Sequence, residues 1–188
     1  ATEKEAAEIY FISLTSQLVK TYKNIKEYNT IINESRIDSI VIGPGLDISS
    51  KSILKIKSAL KTNKRIVLDA GAISCFKNKL EIFVKILSGK DVIITPHEGE
   101  LKSILPNLTG NLISKALKAA KILNVIVVLK GATTIIASPN NKAFVNTAGA
   151  KWLATAGSGD VLAGIIGGLL SNKMETFYAA AYGVWLHS

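Results

Sequence analysis

The sequence holds few of the residues that build covalently linked or metal-clasped folds. Its single cysteine, Cys75, excludes an internal disulfide framework and fits a reducing compartment. No CxxC or HExxH pattern occurs, so the commonest zinc sites are absent, and the sequence assigns no metal ligands. No stretch is rich in Pro, Gly or Ser, so no linker is read. The apolar run Val161–Leu170 falls far short of the ~20 residues a membrane span needs. The opening "ATEKEAAEIY" is polar and acidic, without the basic-then-apolar order of a secretory signal. These absences point to a cytoplasmic protein with no membrane partner. Acidic residues are outnumbered, giving a net charge of +9. The lysines stand singly between apolar residues rather than in a block, which favours anionic small molecules over nucleic acid. A general lysine-rich composition accounts for the charge equally well.

What is present is a soluble-domain composition, nearly half apolar over 188 residues. That length supports one sizeable core, so residues 1–188 are expected to form a single domain. "EIYFISL", "SIVIG", "RIVLD", "DVIIT" and "VIVVLK" read as buried strands. Lysine-spaced amphipathic segments, Ser50–Leu60, Leu80–Leu87 and Leu112–Leu123, read as helices between them. The alternation predicts an α/β fold with a mostly parallel sheet and right-handed crossovers. "TTIIASP" and "KAFVN" are expected as an antiparallel edge, and the chain from Asp160 onward as helix.

In open α/β sheets, ligands bind beyond the carboxyl ends of the strands. Those ends carry Gly43-Pro44-Gly45, Asp69 and Gly71, Thr95-Pro96-His97, and Lys130-Gly131. "TAGSGDVLAG" places Gly157, Ser158 and Gly159 before Asp160 and an apolar helix. Glycines with a helix start behind them can hold a phosphate or oxyanion on backbone amides. A carboxylate there suits proton acceptance from a hydroxyl facing the phosphate; a plain helix cap is the alternative. Gly164, Gly167 and Gly168 share one helical face and are expected to pack against a strand. The glycines form neither a Walker motif nor a dinucleotide fingerprint. In "TPHEGE", His97 is a candidate for hydrogen bonding a substrate amide or ribose or for shuttling a proton, or else a turn residue. Glu100 stands either near a magnesium ion through water or simply in a first helical turn. "KGATT" reads both as a tight turn and as a nucleotide-closing loop.

Together, "IVIGPGL", "VLDAGAI", "ITPHEGEL", "VVLKGATTIIASP" and "NTAGAKWLATAGSGDVLAGIIGGLL" resemble the ADP/ATP-dependent NAD(P)H-hydrate dehydratases of the YjeF carboxy-terminal type, in order and spacing. The resemblance implies a ribokinase-like three-layer sandwich, with helices on both faces of the sheet. It implies repair of hydrated NAD(P)H (NADHX and NADPHX): the ring hydroxyl is phosphorylated by ADP or ATP with Mg2+, and phosphate then leaves. By resemblance Asp160 is the catalytic base and a substrate contact, and Gly45 and His97 line the hydrated dinucleotide. Lys130, Gly131, Ala132, Thr133, Thr134 and Gly159 line the adenine nucleotide, while Gly157, Ser158 and Gly159 hold the phosphate. A separate epimerase in the same pathway is an expected companion.

Departures stand at Gly71, where the family's DADA has a second acid, at Glu98 for the usual proline, and at Ala156 for a usual glycine. The family's opening strand with its Gly-Ser loop, and its closing Ala-Gly-Asp segment and helix, have no counterpart in these residues. The chain is therefore read as shortened at both ends and is expected to form a homo-oligomer over an uncovered strand edge. A ribokinase-like kinase of a small hydroxylated vitamin precursor, or a non-catalytic nucleotide-binding remnant, are the competing readings.

Overall fold

The structure, a computed structural model, describes residues 1–188 apart from 15 and 150. The chain divides into two compact units, 1–37 and 38–188.

In residues 1–37, strands β1 (Thr2–Glu3) and β2 (Thr21–Tyr22) pair in parallel. Helix α1 (Ala7–Ser13) lies between them in sequence and α2 (Ile25–Ile32) follows. Asn24 caps α2, accepting from the Glu27 amide at 3.0 Å. Tyr22 and Tyr28 meet edge to face with centroids 5.2 Å apart, and burial pushes the Tyr28 phenol well above its usual range. The expected strand "EIYFISL" is a helix: α1 takes all of it but Leu14. A short apolar run reads equally as strand or helix. The helix pairs its own backbone, with the Leu14 amide donating to the Tyr10 carbonyl at 2.9 Å, and leaves Ile9, Phe11 and Ile12 exposed.

Residues 38–188 build one six-stranded sheet in chain order: β3 (Ser39–Ile42), β4 (Arg65–Leu68), β5 (Val92–Ile94), β6 (Ile126–Leu129), β7 (Thr134–Ala137) and β8 (Ala143–Asn146). The first four are parallel, and β7 and β8 add antiparallel, as the sequence predicts. The connecting helices α3 (Ser50–Leu60), α5 (Leu80–Leu87) and α7 (Leu112–Leu123) have the expected bounds. Ser49 and Asn111 start α3 and α7 by accepting from the Ser52 and Ser114 amides at 3.1 and 2.9 Å. Two shorter helices, α4 (Gly71–Ser74) and α6 (Glu98–Ile104), leave the ends of β4 and β5.

Right-handed crossovers that always step to the next strand put their helices on one face. There α3 packs on α5 and α5 on α7, burying Ile56, Phe83, Leu87 and Leu123 completely. The opposite face is covered by α8 (Ser158–Ser171) and α9 (Thr176–His187). Val67, Ile93, Val128 and Ile136 meet Leu162, Ile166, Phe177 and Ala180 in its core. Their strand neighbours Ile66, Leu68, Val127 and Leu129 alternate to the first face and are equally buried. Burial on both faces is why these strands read as unbroken apolar runs. The expected three-layer arrangement is present. No helix among the described residues is long and apolar enough to cross a membrane.

The segment from Asp160 onward is helical, as expected, and forms two helices. Lys173, at φ 63°, sits in the break between them. Helix α8 runs antiparallel to the strands. Its first turn lies at Lys130, beyond β6, while near its end Leu170 accepts from Arg65 Nη1 at 3.4 Å, where β4 begins. Arg65 also donates to the Met174 carbonyl at 2.7 Å, a cation at the negative end of the helix. Of the three glycines expected to pack, only Gly167 does: a Cβ there would stand 2.4 Å from Val41 Cγ2, whereas Gly164 and Gly168 face open space. Gly183 on α9 is a packing glycine the sequence reading passed over, with Ile166 Cγ1 2.5 Å from its would-be Cβ.

Gly183→Ala is therefore expected to destabilise the protein by about 1–3 kcal/mol through overpacking. Gly164→Ala, mid-helix and unobstructed, is expected to stabilise it by about 1 kcal/mol. Chemical denaturation should shift the two midpoints in opposite directions; a shared direction would contradict the α8–α9 packing.

Candidate active site

The loops leaving β3 and β4 meet backbone to backbone. A Cβ on Gly43, at φ 136°, would lie 1.8 Å from the Asp69 carbonyl oxygen, and one on Gly71 2.0 Å from that of Leu46. Gly43 thus serves loop packing, whereas Gly45, at φ 68°, is exposed with open space around it. Gly71, where the second acid of DADA is missing, has no room for any side chain in this backbone. Ala70 takes φ 42°, ψ −116° in a turn closed by the Ala72 amide on the Asp69 carbonyl at 2.9 Å. That is the first central position of a type II′ turn, where glycine is usual, and the strain is of order 1–3 kcal/mol. Cys75 lies buried against this loop, donating to the Asp47 carbonyl at 3.6 Å. Burial pushes its thiol up, so the lone cysteine is a core residue and not a nucleophile.

Beyond β5 and β6 the pairing continues in a single bridge between His97 and Lys130, with the Lys130 amide on the Pro96 carbonyl at 2.8 Å. His97 is the cap of α6. Its Nδ1 accepts from the Gly99 and Glu100 amides at 3.0 and 3.3 Å, and Glu100 Oε2 accepts from the His97 amide at 2.9 Å. "HEGE" is therefore a capping box with histidine as its cap. Gly99 leaves room for the ring, since a Cβ would stand 2.8 Å from His97 Cε1. An accepting Nδ1 puts the ring proton on Nε2. The ring remains 60% exposed. Glu100 is spent on the cap and only 12% exposed.

Gly157 is the cap position of α8, in the left-handed region at φ 87° and without a side-chain hydrogen bond to the helix. The Ser158 amide donates to the Thr155 carbonyl at 3.3 Å. The amides of Gly159 and Asp160 are among those that a helix start leaves without intrahelical partners. Asp160 is the third residue of α8 and exposed, so it is not the cap.

A cavity of about 630 Å³ lies at this edge. It brings together His97, Lys130, Gly131, Ala132, Thr134, Ser158 and Gly159 from the sequence-derived set. Gly45, Thr133, Gly157 and Asp160 are not among its lining residues. Thr134 Oγ1 donates to the Gly131 carbonyl at 3.2 Å and closes the turn after β6. The cavity also takes in Asn146, Leu162, Val184 and His187, which the sequence reading did not single out. His187 Nε2 lies 3.1 Å from Ser158 Oγ. Its only signal was a lone histidine in an apolar helix. Ala150, within the Asn146–Gly164 motif block, lies outside the described residues. Among the described residues no group of three or more His, Cys, Asp or Glu could hold a metal ion.

A family model for NAD(P)H-hydrate dehydratase matches residues 1–188. The chain belongs to the NAD(P)H-hydrate dehydratase family. It is 35% identical over 165 residues to the ADP-dependent (S)-NAD(P)H-hydrate dehydratase of Neisseria meningitidis, covering 85% of this chain and 56% of that protein. The chain thus spans little more than half the length of that curated relative. It is similar to the Bacillus subtilis ADP/ATP-dependent NAD(P)H-hydrate dehydratase co-crystallised with ATP/Mg2+ and soaked with CoA, with a TM-score of 0.77, 26% identity and coverage of 99% and 67% of the two chains. A ribokinase-like superfamily protein from Enterococcus faecalis gives a TM-score of 0.82 at 25% identity, covering 100% and 66%. The ribokinase-like fold read from the sequence is thereby established for this member of the dehydratase family.

The cap geometry separates two roles for His97. His97→Ala should cost about 1 kcal/mol of stability by uncapping α6. His97→Asn, which supplies a good capping oxygen, should stay close to the parent while removing the ring from the cavity. Thermal unfolding of the pair checks this; equal losses in both would contradict the cap.

Proposed function

We propose that this chain carries the family's repair reaction, ADP- or ATP-dependent dehydration of hydrated NADH or NADPH. The observation that carries the reading is a single cavity lined by His97, the turn after β6 and the first turn of α8, in a chain whose family match runs from end to end. That match also supports treating residues 1–188 as one functional domain.

In this reading the turn Lys130 to Thr134 holds the nucleotide, and Leu162 and Val184 give its adenine an apolar wall. Gly157, Ser158 and Gly159 form the phosphate turn, where the backbone amides at the start of α8 meet the transferring group. Gly45 and the Nε2 face of His97 meet the hydrated dinucleotide. Asp160, exposed and outside the cap, takes the proton of the ring hydroxyl. The hydroxyl oxygen then bonds to the terminal phosphorus as the bond to the nucleotide breaks. Phosphate then leaves with the carbon–oxygen electron pair, and the adjacent ring carbon gives up a proton to solvent, which restores the dihydronicotinamide double bond. Mg2+ would enter as a companion of the nucleotide phosphates and water, the usual way it is held. It would supply counter-charge to the phosphates, and no protein ligand is assigned.

With hydrated NADH, ADP and Mg2+, NADH is expected to appear together with equal amounts of AMP and phosphate. Asp160→Asn should lower turnover on the order of 10²–10⁴-fold and leave ADP binding nearly intact. Turnover equal to the parent would remove Asp160 from the reaction. A stable phosphoester in place of NADH would point instead to a small-molecule kinase.

A further inference from the structure

Asp69 directly follows β4 and Lys130 directly follows β6, with β5 between the two strands. Lys130 Nζ donates to Asp69 Oδ1 at 2.7 Å across this gap. The side chains are 19% and 1% exposed. The second carboxylate oxygen, Asp69 Oδ2, is buried with no hydrogen-bond partner. An ammonium has three donors; Asp69 takes one, and no other side chain or carbonyl among the described residues takes a second. As a stabilising device such a pair is poor. Desolvating two charges is costly, and incomplete hydrogen bonding leaves that cost unbalanced.

Its position gives a reason for the pair. Lys130 lines the cavity, and its Nζ lies 3.0 Å from where a Cβ on Gly159 would stand. Gly159 is the second residue of α8. A lysine is favoured at the negative end of a helix, and this one stands at the positive end. The ammonium and the first-turn amides converge with the same sign. Asp160, one residue further, is exposed and forms no ion pair with Lys130 among the described residues. Two positive groups sharing one spot at a cavity wall call for an anion.

We propose that Asp69 is a positioning residue that fixes the Lys130 ammonium against the first turn of α8, where it compensates charge on the terminal phosphoryl group of a bound nucleoside di- or triphosphate. This rests on the nucleotide-dependent reading above and adds to it a side-chain role for Lys130 and a role for Asp69. Lys130 exchanges no proton. The hydroxyl proton still goes to Asp160, the oxygen–phosphorus bond forms and the bond to the leaving nucleotide breaks. The ammonium follows the charge on the moving oxygens. Without Asp69 the flexible lysine stem turns toward solvent. A Cβ on Gly159 would crowd the ammonium, at 3.0 Å from Nζ.

The test is calorimetric binding of ADP, AMP and inorganic pyrophosphate, with turnover of hydrated NADH, in the parent chain, Lys130→Met, Lys130→Arg and Asp69→Asn. Lys130→Met is expected to weaken ADP and pyrophosphate on the order of 10–100-fold, the worth of a charge-assisted contact, and to leave AMP unchanged. Lys130→Arg should recover part of that loss. Asp69→Asn should lower kcat while KM for the hydrated dinucleotide holds, a split that a purely structural pair would not produce. If a single variant fails to fold, the double variant Asp69→Asn/Lys130→Met, which strands no charge, decides by the same ADP-to-AMP ratio. A folded Lys130→Met or double variant with the parent's ratio overturns the proposal, as does a parent that binds neither ADP nor pyrophosphate. A parent that binds both, loses them on Lys130→Met, yet never dehydrates hydrated NADH supports the anion site and sinks the dehydratase reading.

Discussion

Strand order governs everything that follows in this molecule. Four parallel strands succeed one another in sequence and in space, so right-handed crossovers put every connecting helix on one face. The other face must then be covered from elsewhere, and α8 and α9 do it. Because α8 lies antiparallel to the strands, its amino end arrives at their carboxyl ends, beside Lys130. A helix start and four strand-end loops are thereby gathered at one edge. Closing the core and building the site are the same act of packing.

Several motif residues have structural duties. His97 caps α6 through Nδ1 while its ring lines the cavity, so the fold and the cavity wall share a single side chain. Gly43 and Gly71 let two loops touch at the backbone, and the strained Ala70 follows directly on Asp69. Strain of this kind persists only where surrounding contacts over-determine the backbone. Here they hold the loop that carries Asp69.

The sequence made the layers readable because burial leaves a periodic trace. Leu112–Leu123 shows lysines on one helical face, and "VIVVL" shows a strand buried on both sides. It failed at "EIYFISL", where a short apolar run carries no period that separates helix from strand. Gly164 and Gly168 share a face with Gly167 by count, yet the contact at Val41 is narrow and admits one glycine only. The cavity wall was legible where it is local, at His97 of "TPHEGE" and at Ser158 and Gly159 of "GSGD", whereas Gly157 and Asp160 do not line it. The pairing of Asp69 with Lys130, and of Ser158 with His187, joins residues far apart in sequence. Such pairs leave no spacing to read. They follow from strand order, which the sequence pattern implied but did not fix residue by residue.

Amide hydrogen exchange on the whole chain, with and without ADP, tests most directly whether the start of α8 and the strand edge form one nucleotide site. Slowed exchange is expected together at Gly159 and Asp160 and in the turn from Gly131 to Thr134, with the carboxyl end of α8 unaffected. Protection confined to other regions, or at only one of these two segments, would contradict the account.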